Sequence, residues 1–116
     1  MGHKIAEWFF IALQVLASAL QLVGTFMFLP WGSNLFAWSL SAVVTPLLLA
    51  SLSWLRVYRR TDRQLSLICG LGNAAWAFFI VFFGTTQPYH YDLRVLLHAT
   101  AAFALALLSF RNYAQD

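Results

Sequence analysis

Residues 5–29 read IAEWFFIALQVLASALQLVGTFMFL, and this stretch decides the class of the protein. It carries one charge, Glu7, near its start. The hydrocarbon core of a bilayer is about 30 Å thick, so an α-helix needs about 20 mainly apolar residues to cross it. The stretch meets that length, and it lacks the ten-residue alternation of a barrel strand. Three further stretches share the property, at residues 35–55, 65–84 and 91–110. Polar or turn residues separate them: Pro30 to Asn34, Arg56 to Gln64, and Thr85 to His90. The expected fold is an all-α integral membrane protein, a four-transmembrane-helix bundle forming one domain over residues 1–116. Lys4, the apolar run from Trp8 to Leu16 and the small residues Ala17-Ser18-Ala19 also imitate a secretory signal. The apolar run continues to Leu29, too long for a signal core, so it reads as a retained span.

The rest of the chain agrees. Of its 116 residues 61% are apolar, 17% aromatic and 9% charged, with a mean hydropathy of +0.72. Soluble domains run at about 25% charged residues. Eleven charged side chains cannot solvate a soluble globule of 13.1 kDa. This excludes a soluble enzyme, a disordered tail and a nucleic-acid module built on a basic patch. Nucleic acid is therefore not an expected partner, whereas membrane lipid is.

Orientation follows from the lysines and arginines of short loops. Arg56, Arg59, Arg60 and Arg63 crowd the second loop, Lys4 precedes the first helix and Arg111 follows the fourth. Six of the seven basic residues thus fall on one side. That places the 56–63 loop and both termini in the cytoplasm, with a bacterial inner membrane as the expected location. The four loop arginines read as a topology determinant, or as a contact for lipid head groups or an acidic partner. Trp8, Trp31, Trp38, Trp54, Tyr58, Tyr89, Tyr91 and Tyr113 sit near helix ends, where amphipathic rings prefer to lie. Trp76, midway along the third helix, reads as a packing residue.

The two halves resemble each other. Leu52-Ser53-Trp54-Leu55-Arg56-Val57-Tyr58 ends the second helix and Leu108-Ser109-Phe110-Arg111-Asn112-Tyr113 ends the fourth. Two helices per unit preserve orientation, so the match suggests two helical hairpins in parallel repeat.

Polar groups inside apolar spans are costly in lipid and point at partners or cavities. Glu7, Gln14 and Gln21 recur at seven-residue spacing on the first helix, with Ser18 beside them. Glu7 is expected at the boundary, paired with Lys4 or a loop arginine. Gln14 and Gln21 either bond across helices or line a solute path. Pro46, next to Thr45, makes a candidate hinge in the second helix. Gly70, Asn73, Ala74 and Ala77 form a small-residue face on the third helix, with Asn73 as its hydrogen-bonding member. On the fourth, Arg94, His98, Ala102 and Ala106 are four apart and share one face, with Tyr91, His90 and Asp92 at its mouth. Two readings are open for this face. Arg94 and His98, with Gln21, form a polar pocket in the outer half that suits an anionic or hydroxylated ligand. Alternatively, Arg94 reaches head groups or Asp92, and His98 is a neutral core residue. The candidate ligand-binding set is Gln21, Arg94, His98, Asn73 and Gln14.

No metal site is expected, because the histidines and acids do not cluster at ligand spacing. No cofactor is expected either. Cys69 is the single cysteine, which excludes an internal disulfide. No catalytic triad or phosphate loop is present.

Four helices in this length resemble the small multidrug-resistance exporters, but Glu7 stands at the boundary instead of deep in the first helix. From Ser41 to Tyr113 the layout resembles the three-helix unit of PQ-loop and half-SWEET sugar transporters, with Pro46, Trp76, Gly84 and His98 in place. There is no Pro-Gln pair, the Trp76-to-Gly84 spacing differs and a helix is extra, so neither family is assigned. The expected function is a small polytopic protein that assembles into an oligomer and binds or passes a small solute. Small faces on the third and fourth helices favour that assembly, with itself or with larger subunits. The alternatives are a non-catalytic accessory subunit of a membrane complex and a membrane enzyme acting on a lipid-soluble substrate.

Overall fold

The computed structural model describes the backbone of residues 2–85 and 93–115 and the side chains of residues 4–83 and 95–114. Four helices follow in order: α1 (Gly2–Phe28), α2 (Asn34–Tyr58), α3 (Arg63–Thr85) and α4 (Leu93–Gln115). All four are long and apolar enough to cross a membrane. All four run beyond their expected bounds at the end that carries the charges: α1 starts before residue 5, α2 ends after 55, α3 starts before 65 and α4 ends after 110. Counting apolar residues measures the width of the apolar band. Arginine, glutamine and asparagine can continue a helix past that band, and the backbone bonds do not stop where hydropathy does.

The turns have local causes. Ser33 caps α2, its hydroxyl accepting from the Phe36 amide at 3.1 Å. Gly32 precedes it at φ +77°, a left-handed conformation that side chains disfavour. Asp62 starts α3, its carboxylate accepting from the Leu65 amide at 3.0 Å. α2 runs unbroken through Pro46, which is buried, so the proposed hinge is a continuous helix here.

The helices run up and down, with α1 beside α2 and α4, and α3 beside α2 and α4. α1 and α3 face each other diagonally. Contact is most extensive within the two hairpins, α1–α2 and α3–α4. Lys4, Arg56, Arg59, Arg60, Arg63 and Arg111 all lie at one end of the bundle, called here the basic end; the opposite is the far end. The core is thin, made of Leu49, Trp76, Ala77, Ile80 and Ala102 in one cluster and Ile11, Ala50, Val57 and Leu105 in another. Trp76 is a packing residue, stacked on Phe79 at 5.8 Å. Many large apolar side chains face outward, up to 80% exposed at Phe78.

The small-residue faces of α3 and α4 are used inside the protein. Ala101, Ala102 and Ala106 are buried. Gly70 lies so close to Phe110 that an added Cβ would stand 2.7 Å from the ring. The expectation that these faces serve assembly is corrected accordingly: without bulk at Gly70 and the alanines, α4 settles onto α3 itself.

Burial repeats between the hairpins. Glu7, Ile11, Gln14, Ala17 and Ser18 of α1 lie 59 residues before Ser66, Gly70, Asn73, Trp76 and Ala77 of α3, and all ten are buried. Pro46, Leu49, Ala50, Ser53 and Arg56 of α2 lie 56 residues before Ala102, Leu105, Ala106, Ser109 and Asn112 of α4, again all buried. Neither pair of helices needs a gap within it, and the two offsets differ by three residues across the hairpin turn. This register pairs Arg56 with Asn112, whereas the string comparison paired it with Arg111, which is exposed.

Candidate functional site: a polar core at the basic end

Pro46, Leu49, Ser53 and Arg56 are spaced three, four and three residues apart, so they share one face of α2. Because α2 continues to Tyr58, that face carries Arg56 into the bundle, where it is 0% exposed. Its Nη1 donates to Glu7 Oε1 at 2.8 Å, and Arg60 Nη2 donates to Glu7 Oε2 at 2.5 Å. Glu7 therefore pairs with a loop arginine, as expected, and also with a buried one. Arg56 is corrected as a lipid or partner contact: it is an interior cation, held there by the opposed carboxylate. Arg59 and Arg63 are exposed, and Arg63 lies over the Tyr113 ring at 4.5 Å. Arg60 is partly exposed at the rim.

The second hairpin fills the equivalent level with neutral groups. Asn112 Nδ2 donates to Ser66 Oγ at 2.7 Å and to the Arg60 carbonyl at 3.1 Å. Deeper still, Gln14 of α1 donates to Asn73 of α3 at 3.0 Å, across the diagonal of the bundle. Asn73 in turn donates to the Cys69 carbonyl. Ser18 donates to the Gln14 carbonyl, 3.2 Å away. Of the candidate set, Gln14 and Asn73 are thus brought together on the axis between the hairpins.

The other candidates lie toward the far end. Gln21 donates to Ser39 of α2 at 2.6 Å, and Thr25 bonds both the Gln21 carbonyl and Ser39. A shallow pocket of about 290 Å³ lies beside them, lined by Gly24, Thr25, Phe28, Leu29 and Ser39. His98 is buried at the α3–α4 contact, edge-on to Trp76 at 6.0 Å. Arg94 lies on α4, but its side chain falls outside the described residues, as do Tyr89, His90, Tyr91 and Asp92.

Sequence reading left Ser53, Ser66, Ser109 and Asn112 out of the candidate site, and all four are buried at the basic end. The available signal was phase. Ser53 and Ser109 each stand three residues before a polar group on the same helical face. Several core atoms have no hydrogen-bond partner in the protein: Nε and Nη2 of Arg56, Oε1 of Gln14, and the hydroxyls of Ser53 and Ser109. No protein-family model, no curated protein and no solved structure matches this chain.

Proposed function

We propose that this is a small multi-pass membrane protein, seated in a bacterial inner membrane with its basic end in the cytoplasm, that binds or passes a small polar solute. The observation that supports this reading is the contrast between surface and interior. A chain with large apolar side chains over its outside keeps a column of buried polar groups within, and several lack a protein partner. In lipid, such groups are expensive unless something polar meets them. Gln14, Asn73 and Arg56 supply the column at the basic end; Gln21, Arg94 and His98 are its proposed continuation toward the far end. The Cα atoms extend only 22 Å across, about two helix diameters. Passage therefore takes place in an assembly of several copies.

Three measurements test this. A phosphatase fused after Gly32 should be active outside the cytoplasm, and a fluorescent protein fused after Thr61 should fold inside; the reverse result overturns the orientation. The mass of the gently extracted particle should correspond to two to four copies. Fixed-ratio co-purification with larger subunits would replace this reading with that of an accessory subunit. In vesicles, Arg94→Ala and His98→Ala should abolish solute flux while the protein accumulates normally. If both variants only fail to accumulate, those residues hold helices together.

A further inference from the structure

The solute can be given a chemical class, an inference that rests on the solute-binding reading above. Arg56 uses Nη1 on Glu7; its Nε and Nη2 make no hydrogen bond in a side chain that is 0% exposed, and the buried Cys69 thiol of α3 is the neighbour beside the guanidinium. Those two N–H groups point in parallel and form the edge of a guanidinium that takes both oxygens of a planar anion. Ser53 stands one turn deeper on the same face of α2, fully buried, with its hydroxyl unpartnered. Ser109 holds the equivalent position on α4 and is likewise buried and unpartnered. Ala50, Val57 and Leu105 belong to one packed cluster, which brings these two serine-bearing segments into the same layer. Charge agrees as well. Glu7 contributes one negative charge against the two positive charges of Arg56 and Arg60, so the cluster is left with one positive charge.

We propose that the unpartnered edge of Arg56, with the hydroxyls of Ser53 and Ser109, is a binding site for a small monovalent oxyanion of carboxylate or nitrate shape. The anion neutralises the remaining charge, its two oxygens accept from Nε and Nη2, and the serines donate to it from below.

The test uses the full chain in nanodiscs, titrated with sodium formate and sodium nitrate against sodium gluconate at constant ionic strength. Formate and nitrate should raise the unfolding temperature saturably, since a ligand that binds only the folded state stabilises it by mass action. The Ser53→Ala, Ser109→Ala double variant, which keeps the ion pair, should weaken binding about tenfold. Arg56→Lys, which keeps the charge but loses the planar edge, should abolish the preference for oxyanions over chloride. Identical effects of all sodium salts overturn the proposal, as does unchanged formate affinity in the serine variant should Arg56→Lys fail to fold. Saturable stabilisation by neutral polyols with the same serine dependence overturns the anion class and leaves the solute reading standing. No saturable effect of either class, together with no flux in vesicles, overturns both.

Discussion

The two hairpins bury equivalent positions but fill them with different chemistry. At the basic end, α1–α2 holds Glu7 against Arg56, while α3–α4 holds Ser66 against Asn112. Backbone register and burial are the same; only the charge differs. A neutral serine–asparagine bond therefore suffices to join two helices at this level. An ion pair is not needed for packing, and desolvating it costs several kcal/mol that the attraction must recover. The charged hairpin carries a buried ion pair where the other hairpin holds a neutral bond, and this makes Arg56, more than any exposed loop arginine, the residue to test.

The comparison breaks most visibly on single removals. Glu7→Ala leaves a guanidinium buried with no carboxylate, and the cost should be about 3–5 kcal/mol. Ser66→Ala, the equivalent change in the other hairpin, removes one neutral hydrogen bond and should cost about 0.5–1.5 kcal/mol. Unfolding in mild detergent micelles measures both. Equal losses would mean that Arg60 and solvent carry the charge, and that Arg56 is not an interior cation. The double variant Glu7→Ser, Arg56→Asn copies the neutral hairpin into the charged one. It should recover about 2 kcal/mol or more of the single-variant loss, because no charge remains buried. Recovery of stability with loss of formate response would separate the structural from the functional role of the pair.

A smaller difference lies one turn deeper. Ile11 in the first hairpin corresponds to Gly70 in the second, and exposed Trp54 corresponds to Phe110, whose ring fills the space above Gly70. One hairpin places its bulk on the odd-numbered helix, the other on its partner. Gly70→Ala should cost about 1–3 kcal/mol, the usual range for overpacking. Adding Phe110→Leu should relieve part of that cost. Thermal unfolding of the three variants checks this, and strictly additive losses would show that the ring and the glycine do not share the space.

The four helices were legible because apolar length alone specifies them, and that signal tolerates errors of a few residues. Gln14 and Asn73 were legible as interior groups because polar residues stand out in apolar stretches; Glu7 was expected at the boundary and is buried. Arg56 was not, since a cluster of arginines reads as a loop until the helix is known to continue through it. The repeat was half legible. Its strings share Leu-Ser at the ends of α2 and α4, but a one-residue gap assigned Arg111 to the position that Asn112 holds. On α1 and α3 the equivalent groups differ in type, Glu7 with Ser66, or in length, Gln14 with Asn73, and burial reveals them. Gln21 and His98 were assigned one pocket because both lie deep toward the far end. Depth does not specify direction: Gln21 bonds Ser39 and His98 packs on Trp76, so the pocket joining them with Arg94 is carried by the proposal and not by these contacts.

The finest test concerns the axis itself. Gln14 and Asn73 occupy equivalent positions, and the longer amide on α1 donates across the diagonal to the carbonyl oxygen of the shorter one on α3. Interhelical hydrogen bonds of this kind average about 0.6 kcal/mol and reach about 1.7 kcal/mol in membrane proteins. A double-mutant cycle of Gln14→Ala and Asn73→Ala should give a coupling in that range. Asn73→Ala alone should cost more than the coupling, since its amide also bonds the Cys69 carbonyl. The exchange Gln14→Asn, Asn73→Gln then asks whether the positions are interchangeable. If the hairpins are related by an axis through this bond, the long amide can reach from either side, and the exchanged protein should retain most of the coupling. An exchange as damaging as the two alanines together would mean that the shared register is a pattern of burial without equivalent geometry. The distance between α1 and α3, and not their relation by an axis, would then be what the long glutamine serves.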